Sequence, residues 1–114
     1  MKALVIKSDG TKNVVEVDKI DLALLQASVG GYVEAIRLWD FDAVMYVNEE
    51  GLLWELPANP LATELAKGNN VLIDGDGILG DVIITGLIDD EGYELGLTYQ
   101  QVALLTLDLT SAQD

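Results

Sequence analysis

Turn signals cut this 114-residue chain into short pieces, and no apolar run approaches the roughly 18 residues of a membrane span. Ser8-Asp9-Gly10-Thr11, Gly30-Gly31, Asp40-Phe41-Asp42, Asn48 to Gly51, Gly68-Asn69-Asn70 and Asp89-Asp90-Glu91-Gly92 each interrupt an aliphatic or β-branched stretch. Residues of these types supply positive φ or bond their own backbone, so they end elements. What lies between the interruptions has room only for short strands and short helices.

The pieces read in order as follows. Ala3–Lys7 and Asn13–Val17 flank the first turn cluster and predict a β-hairpin. Asp18 is placed to cap a helix through Ile20, Leu22, Leu24 and Leu25, with Asp21 in its first turn. The helix is expected to end near Ser28, where Gly30-Gly31 offers the left-handed residue a C-terminus needs. Tyr32–Trp39 predicts a strand whose faces are both mixed, and Ala43–Val47 a central strand. Asn59-Pro60 starts a helix, with Asn at the cap and Pro at the first helical position. Val71–Ile73 and Leu79–Thr85 read as strands. Thr98 and Gln101 form a T-x-x-Q capping box before a last helix over about Tyr99–Leu107, with Val102, Leu105 and Leu109 inward. The expected fold is a single compact α+β domain over residues 1–114, with residues 110–114 as a frayed tail. Its sheet is mostly antiparallel, with two or three short helices packed on it.

Composition then narrows the chemistry. Half the residues are apolar, so a core is within reach at this length. There is no Cys and no His, which removes thiol catalysis, Cys/His zinc sites and the Ser–His–Asp and Cys–His arrangements. Absence of Cys fits a reducing cytoplasm. The opening MKALVIKSDG is too short in apolar residues for a signal-peptide core, so the cytoplasm is the expected location. Acids outnumber bases 20 to 6, for a net charge of −14. That field repels phosphate backbones and anionic lipid and attracts basic partners, so direct nucleic-acid or membrane binding is not expected. Solubility alone also accounts for such a charge.

The motifs are mostly negative findings. Asp74-Gly75-Asp76-Gly77 with Asp81 invites a calcium loop, but counting from Asp74 puts Ile78, Leu79 and Thr85 where ligand, Gly and Glu are needed. An acidic turn is the better reading, and no metal is expected. No phosphate-binding glycine motif is present. Glycosidase chemistry needs two carboxylates in unlike environments, and no spacing here selects a pair, so a carboxylate-based hydrolase is a remote exception to a non-enzymatic reading. No catalytic residue and no cofactor are assigned.

Three side chains invite a function. Trp39, beside Asp40, reads as filling the core margin. Trp54, in the segment LLWELP, reads equally as part of a buried strand or as an exposed docking rim. Arg37, the only arginine, pairs with a surface acid or grips an anionic ligand.

Four segments carry a resemblance: Val29-Gly30-Gly31-Tyr32-Val33-Glu34, Tyr46 to Gly51, Pro57 to Ala62, and Leu79-Gly80-Asp81-Val82. The combination VGGY-x-E, NEEG, N-P-x-A and GD, from Ala3 to about Leu107, resembles a small domain-of-unknown-function family (3846) of bacteria, phages and mobile elements. The chain departs from that pattern in its acidity and in the turn Asp74 to Gly77. The resemblance implies a phage or mobile-element setting and no catalytic residues.

In that setting the leading expectation is an acidic binding protein that sequesters or inhibits a host protein. It would present carboxylates to a basic surface, in one form as a nucleic-acid mimic. The alternative is a sponge for a small nucleotide signal, with a pocket at an oligomer interface. The candidate ligand- or partner-binding residues are Tyr32, Glu34, Arg37, Asn48, Glu49, Glu50, Trp54 and Asn59. A third reading is a structural homodimer through an exposed edge strand at Ala3–Lys7 or Val82–Thr85. A homodimer or higher oligomer is compatible with all three.

Overall fold

A computed structural model describes residues 1–71, 75 and 77–113. Among them the chain forms β1 (Lys2–Ile6), β2 (Lys12–Glu16), α1 (Leu22–Val29), β3 (Val33–Leu38), β4 (Ala43–Asn48), α2 (Pro60–Gly68), β5 (Val82–Thr85) and α3 (Tyr99–Gln113). The strands make one antiparallel sheet in the order β2-β1-β5-β4-β3. The fold is α+β, as the segment pattern predicts.

The sheet is covered on both faces. Alternation along β4 sends Ala43, Met45 and Val47 toward α2 and α3, where they meet Leu4, Ile6, Leu61, Leu65, Val82, Ile84 and Leu105. Val44 and Tyr46 point the other way and pack with Ile83, Leu25 and Val29 beneath α1. Every residue of β4 and β5 is therefore buried. This explains why their sequences are unbroken aliphatic runs rather than alternating ones. Truncating a side chain such as Met45 to Ala in this layer costs about 2–5 kcal/mol.

Local chemistry sets most element ends. The N-cap of α1 is Asp21, whose Oδ1 accepts from Leu24 N–H at 2.9 Å, and not Asp18. The chain before Asp21 stays non-helical and carries Ile20 into the core, so the first usable cap comes three residues later than expected. At the other end Gly30 adopts φ +80° and donates to Gln26 O at 2.8 Å, the left-handed cap expected there. At α3 the capping box forms in both directions, with Gln101 N–H on Thr98 Oγ1 at 3.0 Å and Thr98 N–H on Gln101 Oε1 at 2.8 Å. Gln101 Nε2 also donates to Phe41 O and Asp42 O, tying this helix to the 3₁₀ turn Trp39–Phe41.

Other expectations are corrected. The helix α3 continues beyond Leu107 to Gln113. Of the predicted strand Leu79–Thr85 only Val82–Thr85 joins the sheet, while Leu79 makes an isolated bridge to Ala58. The strands offered as edges, Ala3–Lys7 and Val82–Thr85, are interior, because β2 covers one side of β1 and β5 sits between β1 and β4. The edges are β2 and β3. Residues 72 and 73 of the expected strand Val71–Ile73, Asp74 and Asp76 of the acidic turn, and the side chain of Leu109 lie outside the described residues and side chains.

Candidate functional site

The connection from β4 to α2 carries the most unusual surface. The segment LLWELP is not a strand. After Asn48 the chain makes one helical turn: Gly51 N–H reaches Asn48 O, and Trp54 N–H reaches Glu50 O at 3.0 Å. The turn closes with two further bonds, Glu55 N–H to Leu52 O at 3.2 Å and Leu56 N–H to Gly51 O at 2.9 Å. Glu55 takes the left-handed conformation at φ +53°. This is the Schellman arrangement that ends helices, here with Glu where Gly is usual.

The turn lies against the body through its backbone. Gly51 is buried against Leu79; a Cβ on it would sit 3.2 Å from Leu79 Cβ and 3.3 Å from Leu79 O, so a larger residue would push the turn away. With its backbone side packed, the turn projects its large side chains outward. Leu52, Leu53 and Trp54 are 76%, 69% and 66% exposed. Three consecutive large apolar side chains in water form a contiguous patch rather than a scattered exposure. Trp54 points out of the core. At its foot lies an open cleft of about 530 Å³ lined by Leu52, Glu55, Leu56, Ala58 and Leu79. Glu49 and Glu55 are exposed and Glu50 half-buried, so carboxylates flank the apolar ridge on both sides in sequence.

The remaining predicted residues fall into three groups. Tyr32 and Glu34 are exposed and lie near the ridge: Tyr32 O accepts from Glu49 N–H at 2.8 Å, and Glu34 pairs with Val47 across the ladder. Asn48 and Asn59 are buried. Asn48 Nδ2 donates to Val29 O at 3.1 Å, and its Oδ1 accepts from Glu50 N–H at 2.7 Å, which starts the turn. Asn59 is fully buried; its Oδ1 caps α2 by accepting from Ala62 N–H at 3.1 Å, and its Nδ2 donates to Ile6 O and Gly80 O. These two amides build the site and present nothing at the surface.

Arg37 is the third case. It pairs with Val44, whereas Val33 pairs with Asn48, so about 13 Å of strand separates it from the ridge end of β3. Its guanidinium stacks on Trp39 with the Arg37 Cζ 4.2 Å from the ring centroid, and Nη2 lies 3.5 Å from Asp42 Oδ1. Trp39 is 66% exposed under this cation, rather than filling the core margin. Tyr32, Glu34, Glu49 and Glu50 thus lie at the end of the β3–β4 pair from which the turn carrying Trp54 departs, and Arg37 lies toward the other end.

Sequence reading misses the leucines. Leu52 and Leu53 form most of the ridge with Trp54, and Leu56 and Leu79 form the cleft. The signal available was three consecutive large apolar residues starting straight after a turn glycine, where a buried strand has no reason to begin. It also misses a polar pair under the sheet, where Tyr46 Oη donates to Glu94 Oε1. Burial and then this hydrogen bond push the Tyr46 hydroxyl well above its ordinary pKa.

Chemically the ridge and cleft offer apolar contact and carboxylates. Among the described residues that line the cleft, Glu55 is the one carboxylate. Among the described residues no three His, Cys, Asp or Glu side chains are grouped to hold a metal ion, and no helix is long and apolar enough to cross a membrane.

A family model described as Domain of unknown function (DUF3846) matches residues 1–110, and the chain belongs to that family. No curated protein and no solved structure matches it.

Proposed function

We propose that this is a non-enzymatic binding protein that docks onto a basic protein surface through the Leu52-Leu53-Trp54 ridge. The observation that carries this reading is an exposed apolar ridge, held on a hydrogen-bonded turn, with carboxylates on either side in sequence. The leucines and Trp54 would fill an apolar pocket on the partner, where one desolvated Trp commonly dominates the binding energy. Glu49, Glu50 and Glu55, within a chain of charge −14, would steer a cationic partner and reject anionic ones. In the phage or mobile-element setting that the family resemblance suggests, the partner is a basic host protein in the bacterial cytoplasm, and docking sequesters or inhibits it.

The test uses purified basic proteins and amphipathic Leu/Arg peptides as probes, with binding read by calorimetry. Wild type is expected to bind a subset of them, more weakly as salt rises, and Trp54→Ala is expected to lose that binding while keeping its melting temperature. Binding that is indifferent to Trp54→Ala, or to salt, would remove the reading. Affinity capture from lysate with wild type and Trp54→Ala side by side then names the partner.

A further inference from the structure

The helix α3 carries a second apolar surface, of a different kind. Its inward side chains, Val102 and Leu105, pack into the core shared with α2. The opposite face is bare. Gln100, Ala103, Leu104 and Leu107 are all exposed, at spacing i, i+3, i+4 and i+7. Tyr99, at the start of the helix, is 80% exposed and carries Lys2 Nζ 4.3 Å from its ring centroid, so the stripe free of charged neighbours begins after it. This spacing is the seam by which one helix packs along another. A helix needing only to lie on its own core has no use for apolar residues on both faces.

Charge identifies the occupant. From Thr98 to Gln113 the sequence YQQVALLTLDLTSAQ and its cap contain one charged residue, Asp108, in a chain that holds 20 acids and 6 bases. A basic partner finds almost nothing to pair with here. An anionic membrane finds no Lys or Arg on the helix to hold it. A second copy of this chain, by contrast, is repelled by a charge of −14 at almost every approach except one that sets two nearly neutral helices together. A two-fold axis makes such a stripe complementary to itself, and the antiparallel arrangement also opposes the two helix dipoles.

We infer that this protein self-associates as a two-fold dimer through the exposed face of α3, with Ala103, Leu104 and Leu107 at the seam. A 15-residue helix is about 22 Å long. A single helix pair of that length is at the small end of specific interfaces, so the dimer is concentration-dependent rather than permanent. Its salt response follows from like charges: screening relieves repulsion between copies, so salt strengthens the dimer. This surface is separate from the ridge, and the inference stands or falls independently of the proposed function.

Sedimentation velocity on the full chain tests it across protein concentration, at low salt and at about 0.5 M salt. Wild type should shift from monomer to dimer as concentration rises, at lower concentration in high salt. Leu104→Glu should remain monomeric with unchanged helical circular dichroism, and Trp54→Ala should dimerise like wild type. A wild type that stays monomeric throughout would overturn the inference. So would a dimer that survives Leu104→Glu, or one that is lost with Trp54→Ala but kept with Leu104→Glu. The chain has no cysteine, so a single Ala103→Cys gives an independent reading should the Glu variant misfold. A short bis-maleimide should join two copies through Cys at position 103 and not through a Tyr32→Cys control. Cross-linking at position 32 but not at 103 would refute the seam.

Discussion

Among the described residues the Leu52-Leu53-Trp54 turn and the outer face of α3 both leave apolar side chains in water, and they differ chiefly in the charges beside them. The turn is compact and flanked by Glu49, Glu50 and Glu55; the helix stripe over Ala103, Leu104 and Leu107 is longer and its helix carries Asp108 as its one charged residue, with Lys2 over Tyr99 at the near end. A contiguous exposed apolar patch makes a surface a candidate for docking. The neighbouring charges bear on which partner, because on a chain this acidic a carboxylate rim favours an oppositely charged surface and a neutral stripe favours a copy of itself.

The strongest way to break this contrast is to exchange the lesions. Leu104→Glu places two new carboxylates face to face at the two-fold and should abolish dimerisation while leaving probe binding intact. Trp54→Ala should weaken probe binding by about 30-fold or more, the loss typical of a central Trp, and leave the dimer unchanged. If either variant damages both associations, the two surfaces are one site.

A comparably large effect is expected beneath them. Asn59→Ala removes the α2 cap and leaves Ile6 O and Gly80 O without their amide donor. It should cost about 2–4 kcal/mol, seen as a lower denaturant midpoint with unchanged slope. Both associations should then fail together at the same denaturant concentration, since both depend on one cooperative core.

Salt gives a smaller effect with a distinctive sign. Between about 0.05 and 0.5 M, probe binding at the turn should weaken roughly tenfold, while the dimer should tighten. Titrating one sample for both readouts makes the opposition direct. Replacing Glu49, Glu50 and Glu55 together with Gln should flatten the first response and leave the second.

The smallest effect serves as a control away from both surfaces. The folded state holds the Tyr46 hydroxyl above its ordinary pKa of 10.0. Below that pH the folded and unfolded chains both keep this proton, and stability is flat with respect to it. As pH rises past it, the unfolded chain loses the proton while the folded chain retains it, so stability falls. Tyr46→Phe should remove that part of the alkaline decline, at a cost near neutrality of about 1 kcal/mol for the lost bond to Glu94. Neither association should change.

How much of this was legible beforehand depended on the range of the interactions. The hairpin, Gly30, Asn59-Pro60 and the Thr98/Gln101 box were readable because each is decided within about four residues. The position of β5 between β1 and β4 was not, since no local pattern orders strands in a sheet. Arg37 looked like part of a pocket until the register of β3 on β4 put it four residues from the end that holds Asn48. Asn48 and Asn59 looked like binding residues because an isolated amide gives no sign of whether its partners are a ligand or distant carbonyls. Trp54 was undecided for a specific reason: the turn closes on Glu55, and without a glycine at that left-handed position the sequence carried no mark of a helix end.

The three-way clasp at Asn59 also fixes an order of events. Its amide joins carbonyls at Ile6 and Gly80, which lie 53 residues before it and 21 after it in the chain. A nascent polypeptide that has left the ribosome only as far as α2 has no Gly80 to meet, and Gly51 has no Leu79 to rest on. Contacts of such separation are slow to close. During synthesis the turn can therefore close its own local hydrogen bonds early, but it cannot rest against the body until Leu79 has been made.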